Sequence, residues 1–97
     1  MSSSKEYLLY VLEQTKTLKT VSYKPMMGEY LLYLNGVFFG GIYDDRLLLK
    51  ITDENKSFSL PSTLPYPGAK PMFLAENPDD ADSLCNLIVE TYEGLMK

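Results

Sequence analysis

The stretch Tyr30-Leu31-Leu32-Tyr33-Leu34-Asn35-Gly36-Val37-Phe38-Phe39-Gly40-Gly41-Ile42-Tyr43-Asp44-Asp45-Arg46-Leu47-Leu48-Leu49-Lys50-Ile51 decides the fold. Asn35-Gly36 between two apolar runs is a strong hairpin signal, because both residues accept the positive φ of a type I′ turn. Asp44-Asp45 offers a second tight turn that returns the chain into Arg46 to Ile51. The result is an antiparallel meander of at least three strands. Gly40-Gly41 falls inside a predicted strand, where a glycine pair signals a bulge or a close backbone approach. A phosphate-binding loop would instead follow a strand and open a helix.

Toward the N-terminus, Gly28 separates the meander from Val21-Ser22-Tyr23-Lys24-Pro25, which alternates and ends at proline as an edge strand does. Further out, Ser3 and Glu6 have the spacing of a capping box. Tyr7, Leu8, Val11, Leu12, Thr15 and Leu18 then recur at helical period.

Toward the C-terminus, Thr52 is placed to cap a short helical piece through Phe58. Pro61, Pro65, Pro67, Gly68 and Pro71 forbid regular helix and give an extended connection. Met72-Phe73-Leu74 reads as a further strand. Asn77-Pro78-Asp79-Asp80 combines a cap, a proline and acids suited to a helix start. The closing helix is expected from about Pro78 to about Met96, with Leu84, Leu87, Ile88, Thr91, Tyr92 and Leu95 inward. Residues 1–97 thus read as one α+β domain, two layers deep: a mainly antiparallel meander sheet with the N-terminal and C-terminal helices on one face.

Composition sets limits on chemistry. The 97 residues are 45% hydrophobic and 23% charged, ordinary for one globular domain. The chain has one cysteine, Cys85, and no histidine. A disulfide framework, a Cys/His zinc site and an imidazole-based nucleophilic triad are therefore outside its inventory. Nothing resembles a signal peptide or a membrane span, so a cytoplasmic protein without membrane contact is expected. The net charge of −4 is uneven: residues 75–97 hold six acids against Lys97, and the remainder sums to +1.

The meander is apolar on both sides of its alternation. Leu31 and Tyr33 lie opposite Tyr30, Leu32 and Leu34; Phe38 lies opposite Phe39; Leu48 interrupts the side opposite Leu47, Leu49 and Ile51. The face without helices needs a cover, and a second copy of the chain is the expected one, giving a homodimer.

Met26-Met27-Gly28-Glu29-Tyr30-Leu31-Leu32-Tyr33, then Gly36 through Lys50, then Tyr66-Pro67 before Lys70-Pro71-Met72, resembles the N-terminal domain of the TfoX/Sxy regulators of bacterial natural competence. The resemblance covers essentially the whole chain. It implies a two-layer domain with helices on one side of a sheet and a role in transcriptional regulation. Two departures accompany it. Met26-Met27-Gly28-Glu29 stands where the family commonly has Met-Phe-Gly-Gly, and the expectation is a standalone domain without the family's C-terminal helical companion.

The candidate interaction surface gathers Met26, Met27, Tyr30, Tyr33, Arg46, Lys50, Tyr66 and Lys70. Met26, Met27 and Gly28 suit either an adaptable edge or, as the plainer reading, core filling at a bend. Arg46 and Lys50 point to one side of their strand, two positions either side of Leu48. The tyrosines suit an interface and a half-buried sheet equally. Glu29, Asp44 and Asp45 could be imagined around a hard cation, but adjacent acids at a hairpin tip are ordinary turn residues. No catalytic residue, metal or cofactor is expected. Lys16, Lys19 and Lys24 make a small footprint for phosphate, so direct nucleic-acid binding is the weaker reading.

The expected function is a non-enzymatic domain acting through contacts with proteins, with itself as a homodimer and with a regulatory partner. The alternative is a small-ligand or enzyme-like domain with a pocket between the sheet and the Pro61–Pro71 segment, anchored by Lys70, Arg46 and Tyr66.

Overall fold

A computed structural model describes residues 3–97 of the chain. The elements run α1 (Lys5–Gln14), β1 (Val21–Met26), β2 (Glu29–Leu34), β3 (Val37–Tyr43), β4 (Arg46–Leu49), a 3₁₀ turn (Lys56–Phe58), β5 (Ser62–Thr63), β6 (Met72–Leu74) and α2 (Ala81–Leu95). The strands form one six-stranded antiparallel sheet in the order β1-β2-β3-β4-β6-β5. The α+β architecture read from the sequence is therefore the observed one. The two-residue strand β5 has no counterpart in the sequence reading, since Ser62-Thr63 lies among prolines and is too short to show alternation.

Three two-residue turns build the meander. Met27-Gly28, Asn35-Gly36 and Asp44-Asp45 each place both residues at positive φ, from 51° to 86°. This backbone twist matches that of the flanking strands. The Asp44-Asp45 turn has no glycine and is held from outside instead. The Glu29 carboxylate accepts from the Asp44 N–H at 3.2 Å, and Asp45 Oδ1 accepts from the Ser4 N–H at 2.8 Å.

The N-terminal cap differs from the capping-box reading. Ser4 is the cap, its Oγ accepting from the Tyr7 N–H at 3.1 Å. Ser3 Oγ donates to Glu29 Oε1 at 2.6 Å and accepts from the Asp45 N–H at 3.0 Å. A tertiary partner 26 residues away has taken the hydroxyl that local spacing assigned to the cap. At the other end, Asn77-Pro78-Asp79-Asp80 is a turn before the helix and Asp80 is the cap, with Oδ1 accepting from the Ser83 N–H at 3.2 Å.

The main core lies between the sheet and the two helices. Leu8 and Val11 of α1 and Leu84, Leu87 and Ile88 of α2 pack on Leu32, Leu34, Phe39, Ile42, Leu47 and Leu49. Phe39 owes its place there to a bulge. Counting back from Ile42, strict alternation would turn Phe39 away from the helices. Leu32 pairs with Gly40 but Tyr33 with Phe38, so one extra residue sits on β3 and the alternation changes phase. Ile51, read as inward with Leu47 and Leu49, lies past the end of β4 and is exposed.

Candidate interaction face

On the sheet face turned away from the helices, Tyr43, Leu48 and Met72 form a second, smaller buried cluster with Leu31 and Leu74 packed beside it. The residues come from adjacent strands by register: Gly41 opposite Leu48, and Leu48 opposite Leu74. Gly41 is required here. A Cβ on it would stand 2.6 Å from the Tyr30 carbonyl oxygen and 2.9 Å from Cε2 of Tyr43. The missing side chain lets the Tyr43 ring lie against the strand. Burial is the main cause that pushes the Tyr43 phenol above its usual range, with Tyr66 next.

The proline-rich connection crosses this face and is tied down by Arg46. Its Nε donates to the Tyr43 carbonyl at 3.1 Å, Nη1 to Thr63 Oγ1 at 3.3 Å, and Nη2 to the carbonyls of Leu64 and Pro65 at 3.3 and 3.4 Å. Every acceptor is neutral. Arg46 thus works as a strap between the end of β3 and the connection, using four of its five N–H groups. Pro65 is buried beneath the strap, and the Tyr66 ring stands 6.4 Å from that of Tyr43.

Two open clefts flank this crossing. One, of about 780 Å³, runs from Met26, Met27 and Glu29 to Arg46 and Tyr66. The other, of about 730 Å³, has Leu31, Phe38, Tyr43 and Met72 among its walls, with Lys50, Lys70 and Tyr66 beside them. Lys50 Nζ sits 4.4 Å from the centre of the Phe38 ring, a cation–π contact. Among the described residues, none of Arg46, Lys50 and Lys70 has an acidic side chain within ion-pair distance.

Six of the eight residues singled out from the sequence line these clefts: Met26, Met27, Arg46, Lys50, Tyr66 and Lys70. The methionines do not fill a core; Met27 is 95% exposed at its turn. Tyr30 faces the other way, packing against the main core and edge-on to Tyr23 at 5.9 Å. Tyr33 lies 5.8 Å from the Phe38 ring but outside the clefts. Sequence reasoning missed Ile51 and Leu64, both cleft-lining and exposed. Leu64 stands between two prolines in Pro61-Ser62-Thr63-Leu64-Pro65, an apolar residue in a segment unable to bury it in regular structure.

Other candidate features resolve differently. Glu29 is engaged by Ser3 and the Asp44 backbone, and among the described residues no three acids or cysteines are grouped to hold a metal ion. Lys16 pairs with Glu13 at 2.5 Å, which removes one charge from the small basic stretch. Among the described residues, no helix is long and apolar enough to cross a membrane.

Residues 13–93 match the model of a family described as the TfoX N-terminal domain. All cleft-lining residues except Leu95 fall within that span. An uncharacterised 12.7 kDa protein encoded in the trpE 5′ region of Spirochaeta aurantia is 34% identical over 79 residues, covering 79% of this chain and 69% of that protein.

Proposed function

The chain belongs to the TfoX N-terminal domain family, and from that premise we propose that it is a non-enzymatic interaction domain whose working surface is the helix-free face of the sheet. One observation carries the reading. Of the eight exposed large apolar side chains among the described residues, five (Met26, Met27, Ile51, Leu64 and Tyr66) line the two clefts. A concentration of this kind marks a binding surface, whereas scattered apolar residues need no explanation. The proposed contacts are with proteins and serve transcriptional regulation in the cytoplasm, the setting implied by the resemblance to competence regulators.

Site-specific photocrosslinking in the native cell tests this. A photoreactive residue at Tyr66 should give protein adducts, while one at Lys19, away from the clefts, should not. Equal labelling from both positions, or no protein adduct from Tyr66, would overturn the reading.

A second reading is favoured by the cleft beside Lys50, Lys70 and Tyr66. Its volume of about 730 Å³ falls in the range of roughly 300–1,000 Å³ that small-molecule sites occupy. Thermal-shift screening with common metabolites and nucleotides separates the two, since a ligand bound only by the folded chain raises its melting temperature. Under the interaction reading no compound should do so.

A further inference from the structure

We propose that the occupant of the helix-free face is a second copy of this chain, docked about a two-fold axis that brings the basic end of each face onto the acidic end of the other. The proposal rests on the reading of that face as the interaction surface and adds the partner and its orientation.

The charge on the face is ordered along the strands. Glu29 opens β2 beside the β3–β4 turn, and its carboxylate accepts from the Asp44 N–H at 3.2 Å. Asp44 lies exposed at the same end, and its own carboxylate accepts no hydrogen bond among the described residues. Lys50 follows the far end of β4, four positions beyond Arg46, which pairs with Tyr43 beside the turn, and at roughly 3.3 Å per residue that sets the two ends about 13 Å apart. Because β6 runs antiparallel to β4 with Leu48 opposite Leu74, Met72 and the preceding Lys70 come back to the Lys50 end. Between the ends Leu48 is fully buried and Leu31 half-buried, and the exposed Tyr66 side chain lines both clefts. Arg46 also lies between them, but its N–H groups are held by the strap. Lys24, opposite Leu31, sits on the outer edge strand and lines neither cleft.

A patch with an apolar middle, one acidic end and one basic end is self-complementary under a two-fold rotation about an axis that lies in the interface plane, perpendicular to the strands. That rotation reverses strand direction and sets each basic end on the acidic end of the other copy, in a closed isologous dimer. Docking with the ends aligned would set four lysines together, and like charges brought together at an interface cost several kcal/mol. Extents of 30 × 30 × 24 Å leave room on this face for the ~800 Å² per partner of a standard interface.

Sedimentation analysis from micromolar to submillimolar concentration tests the proposal. The wild-type chain should reach twice its 11.0 kDa mass, and added salt should weaken the association. Lys50→Glu with Lys70→Glu should raise the dissociation constant at least about tenfold, and Asp44→Lys should do the same. The double lysine reversal leaves both ends acidic, and Asp44→Lys cancels the charge of the acidic end while keeping the basic one, so mixing the two should restore dimers. Asp44→Lys places a long side chain at a φ of 55°; Asp44→Asn, which that φ tolerates, runs beside it and should weaken the dimer with the fold intact. A wild-type monomer throughout, or a species growing beyond a dimer, overturns the proposal. A dimer broken by Tyr66→Asp but indifferent to the charge reversals overturns the orientation while leaving the face as the interaction surface. A dimer indifferent to all of these lies elsewhere and overturns both.

Discussion

Asn55 Nδ2 donates to Thr91 Oγ1 at 2.8 Å, and both residues are fully buried. The pair joins the loop after β4 to α2 inside the protein. Asn55 also donates to the Lys50 carbonyl at 2.8 Å and accepts from the Thr52 N–H at 2.9 Å, so one amide holds the loop, the end of β4 and the helix together.

Asn55→Ala should therefore cost about 2–4 kcal/mol, since it removes three hydrogen bonds and strands buried partners. Thr91→Val keeps the shape but leaves one amide N–H unpaired, and should cost about 1–3 kcal/mol. Urea denaturation measures both, and the double variant should cost less than the sum because the two residues share a bond.

The glycines predict a contrast. A Cβ on Gly40 would run into the Leu48 carbonyl oxygen, backbone that the β3–β4 pairing holds in place. A Cβ on Gly94 would meet the Thr52 side chain and Glu54 Oε1 at 2.5–2.7 Å. Gly40→Ala should lose roughly 3 kcal/mol or more, while Gly94→Ala should lose about 1 kcal/mol as the side chains shift. Equal melting temperatures for the two variants would contradict this account.

Arg46→Lys should release the connection nearly as fully as Arg46→Ala, because an ammonium cannot reproduce the forked donation to Thr63, Leu64 and Pro65. Hydrogen exchange should quicken at Ala69, whose N–H donates to the Tyr66 carbonyl. Amides in α1 should keep their protection.

Two contacts contribute to opposite limbs of the pH dependence. The hydrogen bond from Tyr10 to Asp79 pushes the Tyr10 phenol from 10.0 up to about 12. A raised pKa contributes stability that is complete below the unfolded value and is lost as pH climbs through the folded one. Stability should thus fall between pH 10.0 and about 12, and Tyr10→Phe should flatten that slope. Glu54 moves the opposite way: its hydrogen bond from Lys97 holds it below 4.5. Its contribution is present above that value and is lost as pH falls through the lowered pKa, so Glu54→Gln should flatten the acid limb. Thermal melts across pH check both signs.

Local pattern determined the meander, the Asn35-Gly36 and Asp44-Asp45 turns, the closing helix and the need for close backbone approach at Gly40-Gly41. Turn chemistry and hydrophobic period act over a few residues and are written directly in the chain. Six of the eight candidate surface residues line the clefts for a similar reason: alternation alone sets Arg46 and Lys50 on one side of their strand. What the chain could not announce depends on partners far apart in sequence. Ser3 left the cap for Glu29, Arg46 became a strap because the proline-rich connection happens to cross its strand, and the β3 bulge reversed the phase that brings Phe39 inward. For Ser3 the two local options lie within about a kcal/mol of one another; in all three cases only the packed structure, by supplying a distant acceptor or a buried site, selects between them.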